Sequence, residues 1–159
     1  MTRTHARSTK GERAEAIEPF NHGSNISVIS SLNLTGVGAT MAIEGAIDTP
    51  VFDAFVEHFL VPTLLKDDIV LLDNVKFHYS ARAINLIEAA GARVLHIPAY
   101  SPDFNPIEEC ISKIKGILRA AKARTKRKLS NALAKAIKSI AVDDICGWFG
   151  DCGYVFSFI

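Results

Sequence analysis

The chain has 159 residues, 48% apolar and 22% charged, an ordinary balance for one soluble domain long enough to bury a core. No apolar run reaches the roughly 18 residues of a membrane-spanning helix, and the polar start MTRTHARSTKGERAEAIEPF lacks the apolar stretch of a secretory signal. The net charge of +1 hides an asymmetry: residues 110–142 hold ten basic and no acidic side chains, whereas residues 15–109 carry a balance of −9.

In chain order, residues 1–24 show no clear periodicity and read as an N-terminal arm, with the domain proper over 25–159. NISVISSLNL, Asn25 to Leu34, is β-branched and partly alternating and predicts a strand. TGVG then predicts a turn and ATMAIEGAI the partner strand of a hairpin. DTPVFDAFVEHFLVPTLL begins with helix chemistry: Asp48 or Thr49 caps, Pro50 suits the first turn, and Val51, Phe55, Phe59 and Leu60 share a face. Ile69 to Leu72 is a continuous apolar run, the signature of a strand buried on both faces, and it stops at Asp73-Asn74. SARAINLIEAAGA predicts a helix capped by Ser80 and stopped by Gly91, and RVLHIP predicts another strand. Strand, helix and strand make a right-handed parallel unit. A long helix follows from Pro106 to about Ala123, a second from about Lys128 to Ala141, and DDICGWFGDCGY adds a last helical turn or two, with Trp148 and Phe149 in the core. The fold class is α/β with a mixed sheet flanked by helices.

Two carboxylates stand out. Asp73 closes the apolar strand, and the carboxyl ends of parallel strands are where ligands gather; the plainer role is an Asp capping its own turn. Glu108 falls third in a helix opened by Asn105 and Pro106, a variant capping box that explains it without chemistry. Together, a strand-end and a helix-start carboxylate can bridge hard cations such as Mg²⁺. Two such ions about 4 Å apart activate an attacking oxygen and stabilise a leaving one in phosphodiester cleavage. Lys113, Lys115, Arg119, Lys122, Arg124, Lys126, Arg127 and Lys128 form a basic stripe suited to nucleic acid, or equally to a solvated helix face. Asn74 and His78 are accessory candidates, His78 toward metal-bound water or DNA, or toward local hydrogen bonds. His5, His22, His58 and His96 lack metal-ligand spacing. Cys110, Cys146 and Cys152 form no CxxC pair and read as reduced thiols.

LLDNVKFH, IPAYSPDFNPIEECISKIKGILR and CGWFGDCGY resemble the catalytic domain of DDE transposases, nearest the bacterial insertion-sequence group related to mariner elements. The 34 residues between Asp73 and Glu108 match the interval of that group, and the resemblance runs over nearly the whole chain, RTHARSTKGER included. It implies a ribonuclease H-like fold, Mg²⁺ or Mn²⁺, and DNA strand cleavage and transfer at insertion-sequence ends, with Asp73 the second acid of a triad and Glu108 the third. In that family the first acid ends a strand just upstream of the segment matching Met1–Arg13, and a helix-turn-helix region precedes it. This chain starts after both, and Asp48, Asp53, Asp67 and Asp68 are not placed to substitute. Ala99 and Ile111 depart mildly from the family pattern. The resulting expectations are a sheet without its first strand, a two-metal site only where a third acid is supplied, and DNA as partner together with an upstream-encoded transposase part or a second copy. The implied location is cytoplasmic and nucleoid-associated. The alternative is a catalytically inactive remnant that binds DNA or a full-length partner.

Overall fold

The structure, a computed structural model, describes residues 8–13 and 25–155; most of the expected N-terminal arm lies outside the described residues. The hairpin forms as β1 (Ile26–Asn33) and β2 (Gly36–Glu44), antiparallel from Ile26 opposite Glu44 to Asn33 opposite Gly36, with a register shift between Ser30 and Leu32. Its turn is tighter than TGVG implied. The Asn33 side-chain oxygen accepts from the N–H groups of Thr35 and Gly36 at 2.9 and 3.0 Å, so β2 starts at Gly36.

Helix α1 (Thr49–Phe55) is capped by Asp48, which accepts from the Val51 N–H at 3.1 Å. It runs on as a π turn over Val56–Leu60 and a 3₁₀ turn over Val61–Thr63. The wider turn rotates the apolar face, so Phe52, Phe55, Val56 and Leu60 are buried while Phe59, expected on that face, is exposed.

Strand β3 (Ile69–Leu72), a 3₁₀ turn over Lys76–Tyr79, helix α2 (Ala81–Ala89) and strand β4 (Arg93–His96) build the parallel unit, with Ile69 opposite Arg93 and Leu72 opposite His96. The Ser80 hydroxyl caps α2 through the Ala83 N–H, and Gly91, at φ +87°, ends it in the left-handed region. β3 is not buried on both faces. Val70, Leu72 and Val94 pack against the core, but Ile69 and Leu95 are 54% and 57% exposed among the described residues.

Antiparallel and parallel pairing both occur, as a mixed sheet requires, but in two separate two-stranded ladders. The ladders share a core and no hydrogen bonds: Ala39 of β2, Phe52 and Phe55 of α1, Leu72 of β3 and Ile87 of α2 form one buried cluster, with Ile29 of β1 packed against it. Among the described residues no further strand pairs with the outer edges of β1 and β3.

Three helices complete the fold: α3 (Pro106–Ala121), α4 (Lys126–Lys138) and α5 (Val142–Asp151). α3 packs against β1, α4 and α5. It stops where Lys122 turns left-handed at φ 46°, and Thr125 then caps α4 by accepting from the Lys128 N–H. α5 is longer than the expected turn or two. It is anchored by fully buried Ile145, whereas Trp148 and Phe149, expected in the core, are half-buried.

Candidate active site

Asp73 leaves the carboxyl end of β3 into a tight loop that bends back on it. Its Oδ1 accepts from the Val75 N–H at 3.1 Å and pairs with His78 Nδ1 at 2.6 Å. His78 is brought within reach by the 3₁₀ turn Lys76–Tyr79 and is held from below by aromatic rings, Phe52 and Phe77, each with its centroid 4.7 Å away. Since Phe52 belongs to the buried core, the chain of support runs from core to imidazole to carboxylate. Asp73 Oδ2 takes part in none of these bonds. Of the two readings of His78, the structure shows the local hydrogen bond, and its partner is Asp73 itself.

Next to Asp73, the Asn74 side-chain oxygen accepts from the Tyr79 hydroxyl. The Tyr79 ring lies flat on His96, centroids 4.2 Å apart and planes 5° apart. His96 closes β4 opposite Leu72, so this stack stands at the same sheet end as Asp73. Neither Tyr79 nor its pairing with His96 carried a signal in the sequence.

Glu108 projects from the first turn of α3 and is exposed. The capping-box reading of this helix start is corrected. Asn105 occupies the cap position, but its side chain makes no capping bond. Its N–H is already taken by the Pro102 carbonyl at 2.8 Å, through the 3₁₀ turn Pro102–Phe104. Its main-chain carbonyl accepts from the Glu108 N–H at 3.1 Å. Buried Pro106 fixes the helix entry.

Carboxylate oxygens are the donors that Mg²⁺ and Mn²⁺ prefer, so the chemistry of Asp73 and Glu108 fits such an ion. Among the described residues no group of three His, Cys, Asp or Glu side chains stands together as a metal site. Of Asp48, Asp53, Asp67 and Asp68, three are engaged elsewhere: Asp48 caps α1, Asp53 accepts from the Ser80 hydroxyl at 2.5 Å, and Asp68 accepts from the Leu65 N–H at 2.8 Å.

The basic stripe divides. Lys115, Arg119, Lys122, Arg124, Arg127 and Lys128 are exposed along α3, its terminus and the start of α4. Lys126 pairs with Glu44 at the end of β2. Lys113 turns inward to Asp144 of α5 at 2.5 Å. That hydrogen bond, with a second from the Ala141 N–H, holds the Asp144 carboxyl below its usual range. A shallow, mainly apolar cleft of about 370 Å³ between α3 and α4 is lined by Ile117, Ala132 and Lys135 among others, and neither Asp73 nor Glu108 borders it. The cysteines are free thiols, and burial pushes that of Cys110 up. No helix among the described residues is long and apolar enough to cross a membrane.

The fold of this mixed α/β body is ribonuclease H-like, that of the Mos1 transposase structures it resembles. The Mos1 strand transfer complex matches with a TM-score of 0.70 at 14% identity, over 96% of this chain and 46% of that one. The Mos1 mariner paired end complex with Mn gives 0.68 at 13%, over 96% and 47%, and the catalytic domain of Mos1 mariner transposase 0.61 at 14%, over 82% and 75%. The chain thus spans about half the length of the transposase chains in the two complexes. The family model for the DDE superfamily endonucleases matches residues 1–130. The chain belongs to that family. No curated protein matches it.

Proposed function

We propose that this chain is a DNA transposase catalytic domain, serving metal-dependent strand cleavage and strand transfer at insertion-sequence ends, with Asp73 and Glu108 as two of the carboxylates that hold the ions. The observation that carries this reading is Asp73: a carboxylate at a parallel strand end, pinned through one oxygen by His78 and Val75 and leaving Oδ2 for a ligand, in a member of the DDE endonuclease family. Bound there, divalent ions would supply activation of the attacking oxygen and charge stabilisation at the leaving one. The chain's own residues act around that chemistry. His78 orients Asp73, Pro106 aims the helix that carries Glu108, and the exposed cations from Lys115 to Lys128 hold the phosphate backbone. Membership in the family and the folds of the Mos1 complexes support DNA as substrate; a third carboxylate comes from an upstream-encoded segment or another polypeptide.

Among the described residues no third acid joins Asp73 and Glu108 in a metal site, which favours a second reading, DNA binding without cleavage. Nicking of supercoiled plasmid in Mn²⁺ separates the two. The chain alone is expected to nick little or not at all. The same chain extended by the upstream coding sequence, in the frame that ends a strand in Asp, should nick, and Asp73→Asn or Glu108→Gln should each abolish it. Robust nicking by the unextended chain, lost in Asp73→Asn, would show that another of its residues completes the site. An extended chain that binds and never cuts would establish the binding-only reading.

A further inference from the structure

We infer that Tyr79, backed by His96, is a stacking platform for an unpaired nucleobase beside the Asp73 carboxylate. The inference deepens the reading of the chain as DNA-binding and rests on it.

The Tyr79 ring is fixed twice. One face lies against the His96 imidazole at 4.2 Å and 5°, and the hydroxyl donates to Asn74, whose neighbour is Asp73. Half of the residue is nevertheless exposed, at 50%. With one face covered and the hydroxyl engaged, the exposure falls on the opposite face and the ring edge. An immobilised aromatic loses little rotamer freedom when a second ring is laid on it, so the ordering cost of stacking is met in advance. His96 is held in turn by the stack, since its buried Nδ1 has no hydrogen-bond partner among the described residues.

The surroundings fit a nucleotide better than an apolar partner. Lys76 is exposed on the same 3₁₀ turn and can meet a phosphate, and the Asn74 amide lies at the ring edge. Tyr100, four residues beyond His96, is fully exposed at a left-handed φ of 60°. That presents a second aromatic on the loop leaving β4. A base inside a duplex stacks on its own neighbours and cannot lie on Tyr79. The ligand class is therefore an unpaired or displaced base, of the kind aromatic platforms take irrespective of sequence.

The test uses the full chain, without metal, and two short duplexes: one with a single unpaired 2-aminopurine and one fully paired at that position. Wild type is expected to bind the unpaired duplex about tenfold tighter and to quench its fluorescence. Tyr79→Phe should keep both properties, and Tyr79→Leu should lose both while retaining salt-sensitive affinity for the paired duplex. A preference that survives in Tyr79→Leu, or wild type that does not distinguish the duplexes, overturns the platform and leaves the DNA reading standing. Absence of binding to either duplex at low salt overturns both.

Discussion

The carboxyl end of the β3–β4 ladder and the helical layer α3–α5 are held together in different ways. Around Asp73, a buried aromatic core supports an imidazole that holds the carboxylate, and successive residues, 73 and 74, are each tied to a side chain of the following turn. In the helical layer only Pro106, Cys110, Ala136 and Ile145 are buried, and the links outward include single ion pairs, Lys113 to Asp144 and Lys126 to Glu44. One region is set by packing and the other by charge at its surface. Under the proposed function, that division would suit a reaction centre that must not move and a cationic face that must adapt to a polyanion.

The largest effect should come from Phe52→Ala, which empties the floor under His78 and cuts into the core shared by both ladders. About 3–5 kcal/mol of stability is expected to go, measured by urea denaturation. A loss below about 1 kcal/mol would show that the site does not rest on the core. Next is His78→Ala, which removes one of the two partners of Asp73 Oδ1 at a partly exposed site, for about 1 kcal/mol; an unchanged denaturation midpoint would mean that the pair adds nothing to folding.

The smallest effect belongs to the helical layer and is read by pH. The Asp144 carboxyl titrates lower in the folded chain than its ordinary value of 3.8. Its contribution is therefore present above that value and is lost as pH falls through the lowered one. Asp144→Asn should flatten the acid limb by lowering stability slightly at neutral pH and leaving it nearly unchanged at the acid end. An acid limb identical to that of wild type would put the acid sensitivity elsewhere.

Much of this architecture was legible because it is local. Asp48, Ser80 and Gly91 act on residues within a few positions, so two helix starts and one stop could be read from the local sequence. The placement of Asp73 at a strand end was equally plain from the apolar run before it. What escaped depends on geometry or distant partners. The π turn after α1 rotates its face and exposes Phe59. The Pro102 carbonyl takes the N–H on which the capping box depended. Lys113 finds Asp144 across 31 positions, and Tyr79 finds His96 only because β4 lies beside β3.

The separation of the two ladders bears on how the chain acquires its order. The hairpin joins near neighbours, and β3 and β4 pair residues 24 positions apart, so each ladder closes a modest loop and can zip without waiting for the other. No interstrand bond transmits the opening of one to the other; what couples them is the packing of Phe52 and its neighbours. Cooperativity in this domain is therefore carried by side chains, and the hairpin can exchange its amide protons through openings that leave the Asp73 end shut.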